Sequence, residues 1–255
     1  MKKTFIIIIS FLSLFLIQAL FTILLFIFLE KKPENNNWGI LITNISLVLV
    51  IYLTLKVLGI KCEFSFSFPK LKTSIYITLL AVCFIISYPF IAILNFMSDL
   101  SRNIIELSEF NFSIKTNYVF YYFNIIFITP ILEELYYRKI ILLQIEKKYN
   151  AFWAILISTI LFSVYHMDYT QCQISFVFGL LSGYLYFKTK RIEISILLHS
   201  LINIFTIITS DSLLPLGSYY YLIPLYIIIV SIGCFLVTKI IHNVNKKQRI
   251  NNRYN

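Results

Sequence analysis

Three ordered groups of polar side chains interrupt the apolar second half of the sequence: Glu133-Glu134 with Arg138, then Phe162 with His166, then His199 with Asn203. A carboxylate and an imidazole are the side chains best suited to take a proton from water near neutral pH. An imidazole and a carboxamide can donate hydrogen bonds to a developing oxyanion. The residue types therefore fit hydrolysis by an activated water. They stand where polar groups are expensive, since a charge at the centre of a bilayer costs about 2.5–3.5 kcal/mol on insertion scales. The default reading of such residues is a functional site facing a cavity or a partner.

Their spacing divides the labour. On a helix Glu134 and Arg138, four apart, share a face and can form a charge-assisted pair that offsets their desolvation. Glu133 lies about 100° around the helix from Glu134 and is left for another task. His199 and Asn203 are also four apart, and Phe162 stands one turn before His166, placed to support its ring. A single histidine on an apolar helix is ordinarily a hydrogen-bonded packing residue. Two glutamates, an arginine, two histidines and an asparagine within one half of the chain make a purely structural role a poor account. The third histidine, His242, sits in a basic tail and reads as solvated.

The elements that must carry these groups are membrane helices. Of 255 residues 59% are hydrophobic and 13% charged, which excludes an ordinary soluble domain. About 20 apolar residues span the hydrocarbon as a helix, and isolated strands cannot. Eight runs qualify: Thr4–Leu29, Trp38–Leu55, Ile75–Met97, Tyr118–Leu143, Ala151–Tyr165, Ile174–Phe187, Ile192–Ile208 and Tyr219–Ile241. The fold class expected is an all-α polytopic bundle in one membrane domain, 1–255. Within it, 1–117 hold three helices and an outer loop, 118–209 the catalytic core, and 210–255 the last helix and a basic tail. The N-terminal run follows two lysines like a signal peptide, but it is too long and lacks a small-residue cleavage site, so it should remain as the first helix.

The formal charge of +10 comes from short loops between apolar runs, which argues for topology signals rather than nucleic-acid binding. With the N-terminus inside, eighteen Lys and Arg fall on the inner side and four on the outer. Both termini should be cytoplasmic. Cys62, Cys83, Cys172 and Cys234 lack CxxC spacing and indicate neither a disulfide framework nor a cysteine zinc site. Pro89, Pro130 and Pro224 should kink their helices, and Pro130 could turn Glu133 toward a cavity. Gly179 and Gly183, four apart, favour close helix contact.

Depth can be gauged at 1.5 Å of rise per residue, which puts Glu133 about 15 Å, His199 about 10 Å and His166 roughly 22 Å from the cytoplasmic boundary. The mismatch shrinks if the short fifth and sixth helices form a hairpin around the polar stretch Asp168–Gln173. A buried polar turn needs a water-lined cavity, so a cavity open to the cytoplasm is expected.

Glu133-Glu134-xxx-Arg138, Phe162-xxx-His166 and His199-xxx-Asn203, in this order, resemble the CPBP family of intramembrane proteases, which includes the type II CAAX prenyl endopeptidases and the bacterial Abi proteins. The stretch FGLLSGYLYFKTKRIEISILLHSLINIF also resembles the family's Gly-rich helix, basic loop and His-containing helix. The similarity covers roughly Thr129 to Phe205. One departure is Tyr137-Arg138-Lys139 where the family often has FRG. The resemblance implies that Glu133 and His166 activate water for attack on a peptide carbonyl, that His199 and Asn203 hold the oxyanion, and that Glu134, Arg138 and Phe162 support them.

A divalent metal such as Zn²⁺ on Glu133, His166 and His199 is the alternative to a metal-free site, since one carboxylate and two imidazoles with an open position make a catalytic zinc set. No HExxH helix accompanies it. Partners implied are the lipid bilayer and a membrane-associated peptide or protein, with no nucleic acid. The Ile-, Asn- and Lys-rich composition fits an AT-rich bacterial genome and hence a bacterial plasma membrane. Leader peptides, signalling peptides or bacteriocins are then better substrates than prenylated proteins. Two rivals remain: a non-catalytic bacteriocin-immunity or scaffold protein of the same fold, and a proton-coupled transporter, which would spread polar residues across two related halves.

Overall fold

A computed structural model describes residues 2–29, 36–60, 74–83, 85, 118–167 and 169–210, with a few positions between 225 and 242. Most of the expected eighth helix, the outer loop 98–117, the inner segment 61–72, and Pro89 and Pro224 lie outside the described residues. Every described element is helical and none is a strand. In chain order these are α1 (Lys2–Leu29), α2 (Asn36–Leu58), α3 (Ser74–Cys83), α4 (118–146), α5 (Ala151–Tyr165), α6 (Tyr169–Thr189) and α7 (Ile192–Ser210).

Two of them, over Phe5–Leu24 and Trp38–Leu58, are long and apolar enough to cross a membrane, and the apolar parts of α3, α5 and α7 are shorter. On α1 the buried stripe Ile7, Ser10, Phe11 and Leu14 has the 3.6-residue period and packs on α2. The opposite face exposes Phe5, Ile8, Leu12 and Leu16. A helix apolar on both its packed and its open faces is suited to lipid. Helix α2 ends in a Schellman closure: Gly59 takes φ +66°, its N–H reaches the Lys56 carbonyl at 3.2 Å, and the Ile60 N–H reaches Leu55 at 3.0 Å.

The described residues form two compact units. One holds 2–60 and 118–161, and the other holds 74–83 and 162–210. In the first unit α1 and α2 pack together and α2 packs on α4. In the second, α6 packs on α7 through small residues. Gly179, Ser182 and Gly183 are buried, and the Ser195 hydroxyl reaches the Ser182 carbonyl at 3.4 Å. Two small residues four apart let the backbones come this close.

The fourth expected helix is one continuous run in which the winding changes. Residues Tyr118–Phe123, Thr129–Glu134 and Leu143–Glu146 are α-helical, whereas Asn124–Ile128 and Leu135–Leu142 are π-helical. Pro130 sits in the first turn of the Thr129–Glu134 segment, immediately after a π turn. Proline cannot donate to the carbonyl four residues back, and a widened turn before it accommodates that loss. The polar turn after α5 is tighter than expected, because residues 169–173 already belong to α6.

Candidate active site

The glutamate pair lies on α4, inside the first unit, in a fully buried run from Glu133 to Arg138. Arg138 Nε donates to Glu134 Oε2 at 3.2 Å, and Nη1 donates to the Ser158 hydroxyl at 3.0 Å. Ser158, on α5, in turn donates a hydrogen bond from its hydroxyl to the Tyr137 carbonyl at 2.7 Å. The pair thus ties α4 to α5 with both charges out of water, the role that its four-residue spacing predicts. Glu133 is buried beside it at 4% exposure. Leu132 and Leu135, which flank the glutamates, instead face an apolar groove of about 430 Å³ shared with Ile51, Tyr52 and Leu55 of α2, with Lys56 at its rim.

The histidines lie in the second unit and are gathered by aromatic rings. His166 follows the last residue of α5, in the turn, with its N–H on the Ser163 carbonyl at 3.1 Å. Its Nδ1 is 3.0 Å from the Phe162 carbonyl. A carbonyl only accepts, so Nδ1 carries a proton there, and whenever the ring is neutral Nε2 holds the free lone pair. The Phe162 ring meets His166 edge-on at 5.0 Å and His199 at 5.7 Å, so one buried phenylalanine supports both imidazoles. Phe178 of α6 lies 4.6 Å from the His199 ring.

His199 is buried on α7, and Asn203, one turn on, is half-buried. The Cys83 thiol of α3 lies 3.8 Å from the Leu198 carbonyl, next to His199. The hairpin holding His166 is closed by a reciprocal pair: the Ser163 hydroxyl donates to the Cys172 carbonyl, and the Cys172 thiol reaches the Ser163 carbonyl at 3.1 Å. Cys83 and Cys172 are free thiols. His242 is exposed.

One polar group escaped sequence reading. Asn44 on α2 is buried; its Nδ2 donates to Asn124 Oδ1 at 3.0 Å, and its Oδ1 accepts from the Thr129 hydroxyl at 3.2 Å. The first half of the sequence shows no motif comparable to those of the second, and Asn44 looks like one more polar residue near a helix start. The available signal was its place within an apolar run, where an unpartnered carboxamide would be costly.

These residues fall within a stretch that matches known proteins. The family described as Type II CAAX prenyl endopeptidase Rce1-like matches residues 115–205, which contain all seven candidate residues from Glu133 to Asn203. The match is to a CAAX-type protease family, and it spans less than half of the chain. A Bacillus subtilis (strain 168) protein named "Putative membrane peptidase YdiL" is 39% identical over 79 residues, covering 31% of this chain and 32% of that protein. The chain thus matches about a third of this curated relative's length. No solved structure matches significantly. The matched family and the apolar helices together mark an integral membrane protein.

As to a metal, Glu133 belongs to the first unit and both imidazoles to the second. Among the described residues, no three His, Cys, Asp or Glu side chains are grouped as a metal site.

Proposed function

We propose that the protein is an eight-helix intramembrane endopeptidase that cuts a peptide bond within or at the cytoplasmic edge of the bilayer. Glu133 and His166 take the proton of a water, which adds to the scissile carbonyl carbon. His199 and Asn203 donate to the oxyanion. The tetrahedral intermediate collapses with cleavage of the C–N bond, and the leaving amine takes up the proton held by the base. Glu134, Arg138 and Phe162 position these groups.

The observation that carries this reading is the Nδ1–H bond from His166 to the Phe162 carbonyl, which makes Nε2 the proton-accepting atom of the neutral ring. Burial of Glu133 and His199 supports it, since fixed donors and bases act most strongly where water is excluded. The matched endopeptidase family supports the reaction class. Peptides with an apolar, membrane-bound segment, such as leader or signalling peptides, are the proposed substrates. Both termini are proposed to be cytoplasmic.

The test is to reconstitute wild type and Glu133→Gln in liposomes with membrane peptides of the source cell and to map new termini by mass spectrometry. Termini made only by wild type support the proposal, and persistence of the activity in chelator supports the metal-free form. Identical peptides from both proteins, across several added metals, would replace it with a binding or immunity role.

A further inference from the structure

The Thr129 N–H bonds the Asn124 carbonyl, an i→i−5 bond that closes the π turn Asn124–Ile128 four residues before Glu133. Both residues that make this bond also hold, through their side chains, the one carboxamide of Asn44: Nδ2 on Asn124 and Oδ1 on Thr129. Asn124 is itself anchored by Nδ2 to the Phe120 carbonyl at 2.8 Å. Asn44 and Asn124 are buried at 5% and 6% exposure.

The winding decides whether one side chain can hold both partners. In an α-helix five residues advance about 500°, leaving Asn124 and Thr129 roughly 140° apart on different faces. In a π-helix, with about 4.4 residues per turn, five residues advance roughly 410°, and the two share a face. Asn44 therefore fits the π form and not the α form. If this turn relaxed to α, everything after it would rotate by about 90°, close to the roughly 100° between neighbouring helical residues. Glu133 would take the direction now held by Glu134, and Leu132 would take the place of Glu133.

We propose that Asn44 is a positioning residue: by holding both ends of the π turn it keeps Glu133, rather than Leu132, on the reactive face of α4. This rests on the reading of Glu133 as the water-activating carboxylate. π turns inside α-helices are frequent at functional sites, and here the device that maintains one comes from a different helix.

A suppressor experiment tests the proposal with membrane peptides as the probe. Asn44→Leu should lower the rate of new-terminus formation on the order of 100-fold, the scale of a misplaced reacting group. Deleting Ile126 removes the extra residue of the bulge. Asn124 and Thr129 are then four apart in an α-helix, at nearly their present angle, so this deletion alone should stay active. Combined with Asn44→Leu, it should restore most of the lost rate, because no bulge remains to relax.

Loss of packing alone would not be rescued by shortening another helix. Full activity of Asn44→Leu, inactivity of the deletion alone, or failure of the combination to recover would each overturn the proposal. Should Asn44→Leu not fold, Thr129→Val serves instead, with Thr129→Ser expected to recover. If wild type cleaves nothing, the protease reading fails by itself. The lock is then read from thermal unfolding: non-additive losses for Asn44→Leu and Thr129→Val support it, and additive losses overturn it.

Discussion

At the scale of single residues, the buried ion pair and the histidine tautomer do different work. Glu134 and Arg138 are 1% and 0% exposed, so removing one partner strands a charge in an apolar interior. Arg138→Ala should therefore destabilise by about 3–5 kcal/mol, seen as a lower unfolding temperature in detergent. The double change Glu134→Gln with Arg138→Met should recover part of that loss, because neither charge then remains. Phe162 supports both imidazoles through ring contacts, while its backbone carbonyl holds the His166 tautomer. Phe162→Leu keeps the carbonyl and removes the ring. It should lower turnover roughly tenfold, with a smaller change in KM, because ring placement rather than proton affinity is lost.

The elements show where periodicity arguments hold and where they fail. The buried stripes of α1 and of α7, where Ile194, Ser195, Leu198, His199 and Ile202 face inward, follow the α-helical period, and the pairing of Glu134 with Arg138 was legible from spacing alone. The π turns of α4 were not legible. The first is flanked by Pro130, which shows in the sequence, and bonded by Asn44, eighty residues before Asn124, which does not announce its partner. The small residues of α6 read correctly as packing, since Gly179 and Gly183 are buried on a helix that packs against α7. Gly183→Leu should force these helices apart, lowering both the unfolding temperature and the activity, whereas Tyr184→Leu, on the exposed face, should do neither.

For the whole molecule the decisive feature is apolar surface left open. Leu16 is 71% exposed and Phe5 64%, which in water would be an aggregation hazard and in lipid is the solvated state. The eighteen-to-four distribution of Lys and Arg leads us to expect both ends of the chain in the cytoplasm. A fluorescent protein fused after Asn255 should be bright, and alkaline phosphatase fused at the same point should be inactive. The reverse pattern would invert the topology.

Composition and order of residues determined on their own that the chain is helical, that it belongs in a membrane, and which seven residues are the candidates for its chemistry. Each rests on local physics: apolar length against bilayer thickness, four-residue spacing against the helical turn, and the cost of a charge in lipid. Tertiary structure alone decided that a single phenylalanine serves both histidines and that Ser158 accepts a second bond from the arginine. It alone also showed the Asn44 carboxamide bonded to residues at both ends of a widened turn in α4. These depend on groups far apart in the chain meeting in a dry interior, where most buried donors find an acceptor and the partner is set by packing rather than by spacing.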